Sequence, residues 1–352
     1  MTNRWPPVLG IWGRSGSGKT CLITQLVRGA FERKGLRVAV VKRCSHDMSV
    51  DTPGKDSDVI FSAGTDVYAH NPEQAFFRTR PDDLAFQSCL ERMGRGYDLI
   101  LVEGHRDSPL PKLWLSAKEG TESATDVINI VARLPWESNR AAEAEILIDD
   151  FLVKAHAAIP TYSAVLIGGR SRRMGQPKSM LKTRRGYLLE SIVNAARAVS
   201  TNVVLVGDAP VPTGLADTKR LPDIPGISGP LAGLLSAFRW HPDARWIFLA
   251  CDMPFITEEA LRWLLRKSCP GTWVVAPRLK GHDECEPMAA VYEPPAGILL
   301  EKAAARGMYS LRRILEGNKI ASPATPDALR KTWANVNTPA DWDVALGGNA
   351  AG

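Results

Sequence analysis

The sequence predicts two three-layer α/β/α domains in series, and three observations support that fold class. First, 352 residues exceed one ordinary α/β domain and suit two domains of roughly 150–200 residues. Second, a content of 45% apolar and 23% charged residues is that of a globular protein with enough apolar residues for two cores. Third, short apolar runs alternate with helical periods in both halves, which indicates crossover connections and mainly parallel sheets.

The first half, residues 1–157, starts with a strand, a glycine-rich turn and a helix. Strands are predicted at Val8–Trp12, 37–41 and 98–102 and near 127–131, with helices at about 19–34 and 139–157. Pro160 cannot continue the last helix, so we place the domain boundary at about 158–162.

The second half, residues 161–352, repeats the order of strand, loop and helix. Strands are predicted at 163–167, 202–206 and 246–250, with helices at 188–199 and 229–238. Because each half has its own start and its own apolar runs, we expect two separable domains.

The charge pattern excludes several classes of partner. A formal net charge of +6, without any run of five or six like charges, suits phosphate-rich small ligands and predicts no nucleic-acid partner. No stretch approaches the roughly 20 apolar residues that span a bilayer, and no signal-peptide pattern opens the chain, so we expect a cytoplasmic protein with no membrane partner. The six cysteines form no C-x-x-C pair and are expected to be reduced.

Residues 13–20 satisfy the P-loop pattern in full and predict a P-loop NTPase-like domain. The loop consists of Gly13, Arg14, Ser15, Gly16, Ser17, Gly18, Lys19 and Thr20. Its glycines let backbone N–H groups surround phosphate oxygens, Lys19 would reach the β- and γ-phosphates, and the Thr20 hydroxyl would ligate Mg²⁺. Glu103 follows an apolar run and is the candidate second Mg²⁺ ligand; the alternative is a solvated strand end.

The loop that opens the second half is basic and does not match the P-loop pattern. Residues 168–178 follow a predicted strand, and their Arg173 and Lys178 could neutralise a triphosphate during nucleotidyl transfer; the alternative is a solvated basic loop. Asp252 follows the strand at 246–250, where α/β sheets bind ligands, and could hold Mg²⁺; its alternative role is a helix N-cap. Arg173, Lys178 and Asp252 are therefore the candidate catalytic residues of a Rossmann-like nucleotidyltransferase domain.

The first half resembles the MobB family of molybdopterin-guanine dinucleotide synthesis. The resemblance rests on the P-loop, on the stretch "VK…HD…D.PGKDS" and on "YDLILVEGHRDSPLPK", and it covers nearly all of residues 8–150. It implies an accessory domain that binds GTP, with slow GTP hydrolysis left open. This chain has Ser45-His46-Asp47 where the family often has a His-His-Asp run, so the resemblance implies no paired-histidine role here.

The second half resembles the MobA family, the molybdenum cofactor guanylyltransferases. The motifs "LIGGRSRRMG..K", "GPLAGL", "CDMPF" and "NVNTP" occur in this order over about residues 161–345. Carried over residue by residue, the resemblance implies nucleotide contacts at Leu166, Gly168, Gly169, Arg173 and Lys178, a guanine contact at Asp223, an Mg²⁺ ligand at Asp252, and acceptor contacts at Asn335 and Asn337. Pro177 stands where the family commonly has Asp and is closer to the related cytidylyltransferases.

Together the two resemblances imply transfer of GMP from Mg-GTP to the molybdopterin cofactor, with release of pyrophosphate. Molybdopterin cofactor and GTP are then the small-molecule partners, and Mg²⁺ is the cofactor. Molybdopterin-inserting proteins and molybdoenzymes are candidate protein partners. Two alternatives stay open at this point. One is a cytidylyltransferase for the same cofactor, and the other is a P-loop cofactor-handling protein without catalytic activity.

Overall fold

A computed structural model describes residues 5–44, 48–80, 85–118, 127–168, 176–184, 186–279, 281 and 284–345. Its strands are β1 Val8–Trp12, β2 Val38–Lys42, β3 Val67–His70, β4 Ala75–Arg78, β5 Leu99–Glu103, β6 Lys112–Leu115, β7 Ile130–Leu134, β8 Thr161–Leu166, β9 Lys182–Thr183, β10 Gly186–Tyr187, β11 Asn202–Val206, β12 Arg220–Leu221, β13 Arg245–Ala250, β14 Val274–Val275, β15 Ala290–Tyr292 and β16 Ile320–Ala321. Its α-helices are α1 Lys19–Leu26, α2 Asp56–Ser62, α3 Ala85–Met93, α4 Arg140–Ala157, α5 Leu188–Arg197, α6 Pro230–Trp240, α7 Glu258–Leu265, α8 Ala296–Ala305, α9 Leu311–Ile314 and α10 Pro339–Ala345.

The first domain is built on a parallel sheet in the order β2-β5-β1-β6-β7. Alternating side chains of β1 and β5 point to opposite faces, as a pleated strand requires. On one face Leu9 and Leu101 pack with α1 and α4, and on the other Ile100 and Val102 pack with residues of α3. The predicted three-layer arrangement of this half is confirmed.

The second domain has a sheet of seven strands in the order β12-β11-β8-β13-β15-β14-β16. The strands from β12 to β13 are parallel, whereas β15 runs antiparallel to both β13 and β14. Helices α5 and α7 pack on one face of this sheet, and α6 and α8 cover the other. The sheet is therefore mostly parallel, as predicted, but one antiparallel strand interrupts it.

Several elements of the first domain differ from the predictions, and helices α2 and α3 were not predicted. Strand β7 begins at Ile130, three residues after the predicted start near 127, because Asn129 takes a left-handed conformation with φ 60° that ends any extended segment before it. Strand β6 was not predicted, since it is four residues long and starts with the buried Lys112. The hairpin of β3 and β4, which pairs with no other strand of the described chain, was not predicted either.

Helix α4 joins the two domains. Asn139 caps it, accepting a hydrogen bond from the Ala142 N–H, and the helix ends just before Pro160 and β8, as the sequence predicts. The apolar clusters of the two halves share no residue, so each half has its own core. Among the described residues, no helix is long and apolar enough to cross a membrane.

Candidate functional site

The P-loop lies between β1 and α1, and its glycines are required by the geometry of the turn. Gly16 and Gly18 have φ of 77° and 85°, which only glycine adopts readily. A Cβ atom on Gly13 would lie 2.5 Å from both Ser17 Oγ and the Leu115 carbonyl oxygen. The loop therefore has the tight backbone curvature expected of the predicted phosphate-binding turn.

Lys19 lies over the backbone of this loop. Its Nζ donates hydrogen bonds to the carbonyl oxygens of Gly13 and Arg14, at 2.8 Å each. Burial lowers the pKa of the Lys19 ammonium, the Glu103 carboxylate opposes this change, and the Lys42 ammonium adds to it. The lysine is thus held at the loop that the sequence assigned to phosphate binding.

Thr20 and Glu103, which the sequence paired as Mg²⁺ ligands, lie together. Thr20 Oγ1 donates to the two carboxylate oxygens of Glu103 at 3.2 and 3.3 Å. A hydroxyl and a carboxylate are the hard oxygen ligands that Mg²⁺ prefers, so the pair fits that ion. Lys42 was not predicted: its Nζ is 3.2 Å from Glu103 Oε1 and 3.3 Å from Thr20 Oγ1, because β2 pairs Lys42 with Glu103 of β5.

Arg140 is a second residue of this site that the sequence did not indicate. From the first turn of α4, its Nη1 donates to the carbonyl oxygen of Ser17 at 2.8 Å, and its guanidinium carbon lies 4.9 Å from the centre of the Trp136 ring. The side chain also donates to the carbonyl oxygen of Leu134 at 3.2 Å. Arg140 therefore holds the backbone of the P-loop by hydrogen bonding, although it lies 123 residues after Ser17 in the sequence.

In the second domain, three side chains from distant segments meet at the carboxyl end of β13. Lys178 Nζ is 2.6 Å from Asp252 Oδ2 and donates to Asn337 Oδ1 at 2.9 Å. Asp252 Oδ1 is buried and has no hydrogen-bond partner among the described residues. A buried carboxylate oxygen without a partner is costly unless an ion or another donor satisfies it, so this carboxylate fits a Mg²⁺ ligand.

A backbone hydrogen bond joins the turn that carries Asn337 to Asp252, which follows β13. The Val336 N–H donates to the Asp252 carbonyl oxygen at 3.0 Å. Asp341 accepts hydrogen bonds from the N–H groups of Asn337 and Thr338 at 3.0 and 2.9 Å, and these bonds lower the pKa of its carboxyl group. Asp341 was not predicted, although a Thr followed three residues later by an acid is a helix-start signal. Asn335 is exposed at the start of this turn.

Asp223 lies against Gly168, so the predicted guanine contact adjoins the predicted nucleotide loop. A Cβ atom on Gly168 would be 2.8 Å from Asp223 Oδ2, and one on Gly207 would be 2.6 Å from the Gly168 nitrogen. Although the Asp223 residue is exposed as a whole, partial burial of its carboxyl group raises the pKa. The absence of a side chain at Gly168 leaves room for this carboxyl group, and its absence at Gly207 leaves room for the Gly168 backbone.

Leu166 ends β8 and packs against α6. A Cβ atom on Gly233 would lie 3.0 Å from Leu166 Cδ2, so the glycine of the "GPLAGL" motif allows α6 to approach the strand. The predicted contacts Gly169 and Arg173 lie outside the described residues. Within the described ranges, no group of three His, Cys, Asp or Glu residues is arranged to hold a metal ion.

The fold and the two sites define a P-loop nucleotide-binding domain followed by a Rossmann-like nucleotidyltransferase domain. Family comparisons agree with this division. Residues 8–133 match the family "Molybdopterin guanine dinucleotide synthesis protein B", and residues 163–324 match the "MobA-like NTP transferase domain". The chain belongs to both families, MobB in its first half and MobA in its second.

Curated relatives divide in the same way. A molybdopterin-guanine dinucleotide biosynthesis adapter protein of Haemophilus influenzae is 34% identical over 145 residues, covering 39% of this chain and 81% of the relative. A molybdenum cofactor guanylyltransferase of Xanthomonas euvesicatoria is 31% identical over 190 residues, covering 52% of this chain and 93% of the relative. A molybdenum cofactor biosynthesis bifunctional protein of Synechocystis is 26% identical over 280 residues, covering 74% of this chain and 79% of the relative.

Proposed function

We propose that the second domain transfers GMP from Mg-GTP to the molybdopterin cofactor, forming molybdopterin guanine dinucleotide and pyrophosphate. The observation that carries the proposal is the convergence of Lys178, Asp252 and Asn337 in a domain of the MobA-like family. Such a set has the two components that nucleotidyl transfer needs: a cation for the phosphates and a carboxylate for a metal ion. The chain is accordingly a nucleotidyltransferase.

The chemistry is an in-line substitution at phosphorus. The terminal phosphate oxygen of molybdopterin attacks the α-phosphate of GTP, and the bond between that phosphorus and the oxygen bridging to the β-phosphate breaks, so pyrophosphate leaves. Mg²⁺ bound through Asp252 would neutralise charge that accumulates on the phosphates. Lys178, paired with Asp252 in the absence of substrate, is placed to donate to the same phosphates.

The turn of residues 335–338 holds the acceptor side of this site. The Asn337 amide oxygen accepts from Lys178, which leaves its amide N–H groups to donate to a phosphate. Because Asp341 binds the backbone N–H groups of this turn, Asn337 is positioned before substrate binds. Asn335 adds a second amide at the exposed side of the turn.

Base selection is assigned to Asp223. An ionised carboxylate accepts two parallel hydrogen bonds from the N1–H and N2–H₂ donors of guanine, whereas cytosine presents acceptors that it would repel. Pro177, the residue that resembles cytidylyltransferases, starts the helical turn Lys178–Met180, with φ −58° and its carbonyl oxygen accepting from the Met180 N–H. That backbone role accounts for Pro177 without a contact to the base, so GTP stays the preferred substrate in this proposal.

The first domain is proposed to bind GTP as an accessory domain. Its Lys19 and loop backbone suit the phosphates, and Thr20 with Glu103 would hold Mg²⁺.

The discriminating experiment supplies molybdopterin cofactor with GTP, CTP, ATP or UTP and measures pyrophosphate release. Release with GTP alone supports the proposal. Preferred use of CTP would favour the cytidylyltransferase alternative, and no release with any nucleotide would favour a non-catalytic cofactor-handling protein.

A further inference from the structure

The two domains meet through the amino ends of their strands. Asp98 directly precedes β5 in the first domain, while Trp273 and Lys319 directly precede β14 and β16 in the second. A two-pronged ion pair joins Arg95 to Asp243, with distances of 2.6 and 3.2 Å, just before β13. Because both predicted nucleotide sites lie at carboxyl ends of strands, they face away from this interface and from one another.

The separation of the two sites follows from strand lengths. Strand β5 has five residues and β13 has six, and strands rise by about 3.3 Å per residue. Laid end to end, strands of these lengths span roughly 35 Å, which sets the scale of the separation between the two sites. At this scale, influence of one site on the other passes through the interface between the domains.

Asp98 is the centre of that interface and is 1% exposed. Its Oδ1 accepts from Trp273 Nε1 at 2.7 Å, and its Oδ2 accepts from Lys319 Nζ at 2.6 Å. The same Oδ2 accepts from the Arg37 backbone N–H at 2.7 Å. Lys319 Nζ also donates to the carbonyl oxygen of Gly35. A carboxylate buried this deeply needs its cationic partner, and the second domain provides that partner.

Asp98 joins the starts of the two strands that deliver side chains to the P-loop. It directly precedes β5, which ends at Glu103, and it binds the N–H of Arg37, which directly precedes β2, ending at Lys42. The two strands pair in register from Val38 with Leu99 to Lys42 with Glu103. A shift of either strand start would therefore be transmitted over five residues to the groups around Thr20.

We propose that this interface couples the domains, and that Asp98, held by Lys319 and Trp273 of the transferase domain, is a positioning residue for the P-loop nucleotide site. The inference rests on the proposed GTP binding by the first domain. It predicts that a change in the transferase domain, about one strand length from the P-loop, alters nucleotide affinity at that loop.

The test uses the full chain and isothermal titration with Mg-GTP, with the P-loop site defined as the binding event that Lys19→Ala removes. Lys319→Met should weaken binding at this site by about 3- to 10-fold. Lys219→Met is the matched control, because Lys219 directly precedes β12 at the opposite edge of the same sheet and is exposed. Lys319→Arg keeps the charge and should bind within about twofold of the parent.

Hydrogen exchange at the Arg37 amide reports whether the interface is intact, since that amide donates to Asp98. If Lys319→Met speeds this exchange yet binds Mg-GTP like Lys219→Met, the coupling is overturned. Trp273→Phe, which removes one donor to Asp98 and keeps an aromatic side chain, gives the same test should Lys319→Met not fold. Absence of Lys19-dependent binding in the parent would overturn the accessory role as well, whereas equal affinities would overturn the coupling alone.

Discussion

The two predicted phosphate-binding sites of this chain are assembled in different ways. The P-loop site draws most of its groups from one run of residues, 13–20, and adds Glu103 from the neighbouring strand. The transferase site is assembled from separate segments of the chain: Asp252 lies 74 residues after Lys178, and Asn337 lies 159 residues after it. A site made of backbone N–H groups needs glycines at fixed spacing, while a site made of side chains needs only that several loops end at one sheet edge.

The largest expected effect tests the side-chain site. Lys178→Ala and Asp252→Ala should each lower kcat for GMP transfer by roughly 10²–10³, because each removes a preorganised charge at the phosphates. The measurement is pyrophosphate release at saturating GTP, with Lys219→Ala and Asp217→Ala as exposed controls. Rates within a few-fold of the parent for both site variants would show that transfer occurs elsewhere.

The second prediction concerns the choice between GTP and CTP at the transferase site. If Asp223 accepts two hydrogen bonds from guanine, the parent should prefer GTP over CTP by about 10²–10³ in kcat/KM, since charged hydrogen bonds contribute about 1.5–3 kcal/mol each. Asp223→Asn offers only one acceptor and should reduce the preference. Competition between the two triphosphates measures it. A parent that prefers CTP, or an unchanged ratio in the variant, would refute this base pocket.

The P-loop lysine provides the reciprocal test. Lys19→Ala should remove one of two Mg-GTP binding events measured by calorimetry and leave GMP transfer within a few-fold, because its Nζ contacts only loop carbonyl groups of the first domain among the bonds described. Lys34→Ala, whose lysine pairs with Asp149 on α4, is the control for losing a lysine from this domain. Transfer that disappears with Lys19 would mean that the two sites are not separate.

The smallest expected effect is a pH dependence of base preference. Burial raises the pKa of Asp223, and the ionised form is the one that accepts both guanine donors. As pH falls, the Asp223 carboxylate is therefore protonated at a higher pH than an ordinary Asp, whose pKa is near 3.9. The preference for GTP in kcat/KM should decline over that higher pH range. The preference of Asp223→Asn should stay flat over the same range. A flat profile in the parent would separate base choice from this carboxyl group.

The sequence predicted the fold class and the strands that bear the sites, because apolar alternation and glycine loops are local signals. Strand β11 was predicted at its observed bounds, and β1 likewise. The residues that hold each site in place from distant parts of the chain were not predictable from such local signals. Lys42 joins Glu103 only through strand pairing, Arg140 reaches the P-loop from a helix far along the chain, and Asp98 meets Lys319 only when the two domains dock.

The family match confirms the two halves and their order, while the roles of individual residues stay predictions. Lys178, Asp252 and Asn337 lie together, as those roles require, and Asp223 adjoins Gly168. Asn335 is exposed beside them. The domain limits 1–157 and 161–352 likewise stay predictions. The buried contacts of Asp98 show that the two halves share an interface in addition to having separate cores.

The most direct test follows the two ends of the GTP phosphate chain during one turnover. With molybdopterin cofactor present, a label on the α-phosphate should appear in the dinucleotide product, and a label on the γ-phosphate should appear in pyrophosphate in equal amount. Both transfers should be lost in Asp252→Ala and retained in Lys19→Ala. An α-label that stays in GDP, with the γ-label released as inorganic phosphate, would identify hydrolysis and contradict guanylyl transfer by this chain.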